Sequence, residues 1–254
     1  MDVFWAAPPI SRTLTALALV ESVLIHAGIL NPRLIIFYAP RLLTWFPEIW
    51  RLVTPFLLTG PGFQMFYDLY FLYTYSSQLE VNSSRFNQPG DFFVYVVFLF
   101  AVILATAGFY LQEYVFLPAL ILGFVYTWSQ ENRGRRVTLF IVQLPAEWLP
   151  YAMLLLSLAT GRWHSVLSQA TGLIAAHLYE FLTRIYPEFG GGRNYLVTPA
   201  FIRQAFAGAS GPRAKSYGTA YPAAGQTRPS STSSGSAWTS SWSRMGPGRR
   251  LGGD

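Results

Sequence analysis

Long stretches of this chain carry almost no charge, and its basic residues sit between them. A helix that spans a bilayer needs roughly 20 largely apolar residues, or fewer where the bilayer is thin. Six stretches approach that length: 14–30, 52–75, 92–110, 114–128, 138–159 and 166–185. The third contains no charged residue. The first carries Glu21 and His26, the second Asp68, and the sixth His177 and Glu180; the fourth is short, and the fifth is interrupted by Pro145, Glu147 and Pro150. The pattern predicts an all-α membrane protein, a six-helix transmembrane bundle occupying residues 1–206. Beyond about Phe206, Gly, Ser, Ala, Pro and Thr dominate without apolar periodicity. Such a segment buries too little surface to offset chain entropy, so 207–254 is expected to be a disordered tail.

Composition sharpens this picture. The 254 residues are 52% hydrophobic and only 12% charged, about half the charged share of a typical soluble domain. The net charge is +6. Nucleic acid is a poor explanation for that excess, because no basic face is interleaved with a folded soluble domain. Topology explains it better. Six spans place both termini on one side, and with the termini in the cytosol 14 basic residues fall on the cytosolic side against 4 opposite, as the positive-inside rule requires. The turn at Glu131, Asn132, Arg133, Gly134, Arg135 and Arg136 is the strongest anchor. Arg33, Arg41 and Arg51, three of the four exceptions, share the loop 31–51, which is also rich in Leu, Ile, Phe and Trp; such a loop is expected to lie in the lipid interface. The N-terminus lacks a basic leader region, so the first apolar stretch is expected to serve as its own insertion signal.

Candidate chemistry is sparse. Cysteine is absent, which removes disulfides, thiolate nucleophiles and Cys-ligated metal. His26, His164 and His177 form no close-spaced ligand motif, and neither metal nor cofactor is expected. Pro8, Pro9, Ile10, Ser11 and Arg12 read as a helix start with Ser11 as N-cap and Arg12 at the headgroups. Trp50 and Arg51 open the second stretch, as an interfacial anchor or a loop-fixing pair. Gly172 and Ala176 are small residues four apart, which permits close helix approach; intramolecular packing and association with a second chain both stay open. His177 adjoins them. It is either a hydrogen-bonded structural residue or a catalytic base, and a base would need a serine on a neighbouring helix. The fourth stretch has none within 116–124, and Ser129 lies toward its cytosolic end. An active intramembrane serine protease is therefore disfavoured. A small-molecule transporter is the other rival, with Glu21, Asp68, Glu147 and Glu180 as scattered acids and no basic partner evident in the spans. Gln64, Asp68 and Gln143 are expected to line a wet cavity.

Several stretches together resemble the Derlin family, the rhomboid-related pseudoproteases of the endoplasmic reticulum. They are Trp50-Arg51-Leu52-Val53-Thr54-Pro55-Phe56-Leu57-Leu58-Thr59-Gly60, then Tyr70-Phe71-Leu72-Tyr73-Thr74-Tyr75-Ser76-Ser77-Gln78-Leu79-Glu80, then His177-Leu178-Tyr179-Glu180-Phe181-Leu182, Tyr186-Pro187 and Gly191-Gly192-Arg193-Asn194-Tyr195-Leu196-Val197-Thr198-Pro199. The resemblance covers about 1–206 and implies a rhomboid-like bundle without catalytic activity. It implies a role in moving misfolded proteins to the cytosol for ubiquitination and degradation. The implied partners are membrane lipid, misfolded clients, a membrane ubiquitin ligase complex and the cytosolic AAA ATPase of the ubiquitin system, with homo- or hetero-oligomers left open. The family's Gly-xxx-Gly pair is here Gly172 and Ala176. The terminal stretch Met245, Gly246, Pro247, Gly248, Arg249, Arg250, Leu251 and Gly252 resembles the tail motif with which some members recruit the ATPase. It matches in Gly246, Gly248 and Leu251 and departs at Met245 and Arg249.

Overall fold

The computed structural model describes residues 7–42, 48–139, 142–159, 163–189 and 196–207. Helices dominate. The long ones are α1 (Pro9–His26), α2 (Phe63–Asn82), α3 (Asp91–Ile103, running on as a π-helical stretch Leu104–Tyr110), α4 (Leu117–Glu131), α5 (Leu149–Ala159) and α6 (Trp163–Glu180, extended by the π-helical stretch Phe181–Ile185 and the turn Tyr186–Phe189). A short α7 (Ala200–Ala207) follows. Five helices start where the sequence breaks helix continuity. Pro9 and Pro118 occupy first-turn positions of α1 and α4, where a missing N–H costs nothing, and Gly62 and Gly90 precede α2 and α3 at positive φ, which favours glycine. Pro150 lies in the first turn of α5.

One expected span takes another form. Residues 138–159 do not form one helix. Strands β1 (Arg136–Leu139) and β2 (Val142–Pro145) pair antiparallel, with Val137 opposite Leu144 and Thr138 opposite Gln143. The helical part is confined to 146–159. The cause is local. Val137, Thr138 and Val142 are β-branched and favour extended backbone, and Pro145 and Pro150 cannot donate to preceding turns of a longer helix. The second expected span also shifts. Residues 49–56 make two 3-10 turns, and α2 begins only at Phe63. Among the described residues, Asp91–Tyr110 is the one helix long and apolar enough to cross a membrane, with a mean hydropathy of 2.5, and Ala146–Ala159 is a shorter apolar helix. The other helices break their apolar runs with polar groups that face inward, including Ser22, Asp68, Ser76, Glu80, Ser168 and Thr171.

α4 is the centre of the bundle. Leu117 and every residue from Ala119 to Ser129 are buried. α2, α5 and α6 pack directly on it, α3 touches it while packing on α6, and α1 packs on α2. The α4–α6 approach is close because Gly172 lies over the backbone of Ala119, where a Cβ would overlap the Ala119 carbonyl. Gly123 in turn faces the Gly172 carbonyl. Tyr95, fully buried, ties α3 to α4 through Thr127 Oγ1 at 2.6 Å and the Gly123 carbonyl at 3.2 Å.

Candidate functional site

Two polar constructions stand out at one end of the bundle. The first is the loop before α2. Arg51 is 1% exposed, and its guanidinium reaches back across the chain. Nη1 donates to the carbonyls of Arg33 (2.9 Å) and Ile36 (2.6 Å), and Nε donates to Glu48 Oε2. Arg41 Nη1 lies 3.1 Å from the other oxygen of Glu48. The Arg51 guanidinium beside it is the main cause holding the Glu48 carboxyl below its ordinary pKa. Trp50 is half-exposed and donates from Nε1 to the Leu34 carbonyl at 3.1 Å, while the Thr54 hydroxyl bonds the Ile35 carbonyl at 2.9 Å. Aromatic rings then fasten the loop to the bundle. Phe37 packs on Phe109 and Phe116, and Phe56 stacks on Phe100 with centroids 4.0 Å apart. Trp50 and Arg51 thus act on one object, the backbone of 33–36.

The second is a hollow between α2 and α5, floored by α4 and α6. One part, about 330 Å³, is lined by Gln64, Asp68, Pro118, Met153, Ser157 and Gln169 among others. An adjoining part, about 490 Å³, shares Gln64, Pro118 and Ser165 and adds His26, Thr59, Gly60 and Glu113. α5 packs on α4 and α6, and α2 on α1 and α4, which leaves space between the two. The wall at 57–60 is hung on α1 and α2. Ser22 Oγ donates to the Leu57 carbonyl (3.3 Å) and accepts from Thr59 N–H (3.0 Å), and Asp68 Oδ2 accepts from Gly60 N–H (3.1 Å). The Thr59 hydroxyl is buried without a partner among the described residues. Glu113 stands at the mouth with His164 Nδ1 4.0 Å away; burial raises its carboxyl pKa, and His164 opposes that shift. Of the residues expected to line a wet cavity, Gln64 and Asp68 do so, whereas Gln143 is exposed on β2.

His177 lies elsewhere, in the second half of α6. Its Nδ1 shares a 2.9 Å hydrogen bond with the Tyr126 hydroxyl of α4. Ser129, one turn further along α4, donates its hydroxyl to the Tyr126 carbonyl at 2.7 Å. Gly172 faces α4, and Ala176 is buried in the same packing. Met245, Gly246, Gly248 and Leu251 lie outside the described residues.

At the opposite end the structure corrects two expectations. Ser11 is not an N-cap. Pro8 holds that position without a side-chain bond, and the α1 start is capped from another helix. Glu80 accepts from the N–H groups of Ile10 and Ser11 and from the Ser11 hydroxyl, at 3.1, 2.8 and 2.6 Å. A carboxylate stabilises a helix N-terminus more strongly than a hydroxyl does. Glu180 does have basic partners: Arg85 at 2.9 Å and Arg184 at 3.9 Å, with Arg85 also 3.2 Å from Glu131. Arg85 thereby joins the α2–α3 loop to the ends of α4 and α6. Nearby, Thr198 donates to Asp91 Oδ1 at 2.5 Å, which ties the segment after the last long helix to the start of α3. Apart from Arg184, one helical turn from Glu180, these partners are 46 to 107 residues apart in sequence, so no local spacing could reveal them.

A model of the Der1-like family matches residues 7–200 of the chain. The chain is 32% identical over 206 residues to Derlin-1 of Homo sapiens, which covers 79% of this chain and 80% of that protein. It is 29% identical over 206 residues to Derlin-1.2 of Zea mays, covering 80% of this chain and 83% of the relative. To Derlin-1 of Arabidopsis thaliana it is 30% identical over 202 residues, covering 78% and 73% respectively.

Proposed function

The chain belongs to the Der1-like family, and from that premise we propose that it is a six-span protein of the endoplasmic reticulum membrane, with both termini cytosolic, that assists passage of misfolded luminal or membrane proteins to the cytosol without cleaving them. The observation that carries this reading is the hollow between α2 and α5. In hydrocarbon each unsatisfied backbone group costs several kcal/mol. A lateral recess lined by Gln64, Asp68, Ser157 and Gln169 supplies hydrogen-bonding groups at membrane depth and lowers that cost for an entering polypeptide. The short α4 and α5 favour local bilayer thinning, which costs little per Å. Against a proteolytic role, the His177 ring is hydrogen-bonded to the Tyr126 hydroxyl, and the Ser129 hydroxyl donates to the Tyr126 carbonyl.

In this role a membrane ubiquitin ligase complex receives the client and the cytosolic AAA ATPase extracts it. Met245, Gly246, Gly248 and Leu251 form the tail motif that recruits the ATPase. A peptide of residues 242–254 should bind the ATPase N-terminal domain with Kd on the order of micromolar, about −8 kcal/mol, and Leu251→Ala should weaken it in calorimetry. The central test is pulse-chase of a misfolded luminal client in cells depleted of the chain. The client half-life should lengthen, and His177→Ala should restore turnover as well as the wild-type chain does. An unchanged half-life on depletion removes the proposed role. A cleavage product lost only in His177→Ala would identify a protease instead.

A further inference from the structure

Five carboxylates elsewhere in the bundle are answered by donors, while Glu21 Oε1 on α1 is buried without one among the described residues. Glu48 meets Arg51 and Arg41, Glu80 takes three donors from the start of α1, Arg85 serves Glu131 and Glu180, and Asp91 accepts from Thr198. The hollow between α2 and α5 adds a second carboxylate short of donors, and this one faces a cavity. Asp68 is 3% exposed and accepts one backbone N–H, that of Gly60; among the described residues it forms no ion pair. Glu113 at the mouth has, among the described residues, only the highly exposed His164 as an ion-pair partner, at 4.0 Å. Among the described residues, neither arginine nor lysine lines either part of the hollow. The Thr59 hydroxyl, 4% exposed and without a partner among them, belongs to the same wall. The site therefore offers negatively charged acceptors, and among the described residues no arginine or lysine completes them.

We propose that this hollow selects polypeptide segments carrying a lysine or arginine within an otherwise apolar stretch, with Asp68 receiving the cationic head. The inference rests on the proposed role in client passage and names the class of client. The shape fits a long basic side chain. Pro118, Ile121, Met153 and Leu156 provide apolar wall for its methylene stem, and Gln64, Ser157 and Gln169 surround the head with hydrogen-bonding groups. Long basic side chains bury their stems in apolar surface while keeping the charge solvated or paired. The flanks also fit entry from the bilayer: Phe66 and Tyr70 on α2, and Leu155 and Leu158 on α5, are exposed apolar residues. A lone cation in a membrane segment is expensive, and it marks a subunit that has lost its partner. An apolar segment with an acid would meet Asp68 and Glu113 as like charges.

The test uses the full chain in liposomes and three apolar peptides of about 20 residues, identical except for lysine, leucine or glutamate at one central position, each with a photocrosslinker. The lysine peptide should bind about tenfold tighter than the leucine peptide, roughly 1.4 kcal/mol, and the glutamate peptide should bind weakest. Asp68→Asn keeps an acceptor for Gly60 N–H, so it should reduce the lysine peptide to the leucine level and leave the leucine peptide unchanged. Glu113→Gln, at the open mouth, should reduce the preference by a smaller factor. Equal binding of the lysine and leucine peptides to the wild-type chain overturns the proposal without recourse to any variant. So does a lysine preference that survives Asp68→Asn, and so does failure of all three peptides to bind. Equal binding leaves the wider role standing, since that role falls only if client half-life ignores the chain.

Discussion

At the scale of single residues, Arg51 joins three separate points of the loop before α2. Its head group bonds two carbonyls, of Arg33 and Ile36, and the Glu48 carboxylate. Hydrogen bonds to charged groups each contribute roughly 1.5–3 kcal/mol, and a buried acceptor left without a donor costs more than the bond was worth. Arg51→Ala should therefore destabilise the purified protein by about 3 kcal/mol or more in detergent unfolding. Trp50→Ala, which removes one bond from a half-exposed site, should cost about 1 kcal/mol. Arg51→Lys should not rescue, because an ammonium cannot span these acceptors as a planar fork does. A pH signature accompanies the loss. Glu48 has its folded-state pKa lowered, chiefly by its hydrogen bond to Arg51. Its contribution is fully present above its ordinary pKa and disappears as pH falls through the lower folded value. The wild-type chain should lose stability across that acidic window, and Arg51→Ala should show a flatter profile there. Arg51→Ala and Trp50→Ala should also slow client turnover, because the loop they fix continues from Pro32, which lines the hollow.

At the scale of elements, the contact of α4 with α6 depends on one missing side chain. A methyl at Gly172 would overlap the Ala119 carbonyl, a backbone atom that cannot rotate aside. Gly172→Ala should force the helices apart and cost about 1–3 kcal/mol, the usual range for overpacking, despite the better helix propensity of alanine. Ala176→Gly, which would restore the family's second glycine, should change stability by no more than about 1 kcal/mol. Unfolding midpoints of the two variants check the asymmetry. A midpoint for Gly172→Ala equal to wild type would mean that α6 approaches another surface. α1 gives a related lesson. Its start carries a Pro-Pro-Ile-Ser sequence that reads as self-capped, yet the cap comes from Glu80 at the far end of α2. Ser11 has its hydroxyl turned to that carboxylate, so Glu80→Ala leaves three donors without an acceptor and should loosen α1 from α2 more than Ser11→Ala does.

At the scale of the whole molecule, the two ends of the bundle differ in chemistry. One end gathers His26, Glu113, Ser165 and the hollow. The other gathers the Glu80 cap, the Arg85 network and the Thr198 tie, next to the arginine-rich turn 133–136. The proposed topology puts this second end in the cytosol. Tags at Met1 and Asp254 should both be protease-accessible in intact microsomes, and protection of either would exclude the six-span arrangement. The Arg85 network holds the ends of α4 and α6 in register. Arg85→Ala should therefore lower the unfolding midpoint by separating those helix ends, with Glu131 and Glu180 left close together as like charges.

The sequence by itself determined the helical class, the position of the uninterrupted apolar helix 91–110, the central block that became α4, and the family to which the chain belongs. These follow from composition and from local order of residues, which one strand of text carries in full. It also marked Trp50, Arg51, Gly172 and Gln64 as residues worth attention. What each of them touches was decided by the tertiary structure. β-branched residues and two prolines turned the expected fifth span into a hairpin and a short helix, because local propensity outweighs apolar content where a helix would lack its donors. Glu80, Arg85, Asp91 and Tyr126 find partners up to 107 residues away, and such pairs leave no periodic trace. The hollow at Asp68 divides between the two: Gln64 and Asp68 read as cavity-lining residues in the sequence, and the fold decided that they line the space between α2 and α5 while Gln143 does not. An acid in an apolar stretch is visible in the sequence, but whether an arginine answers it depends on which helices the fold sets beside it.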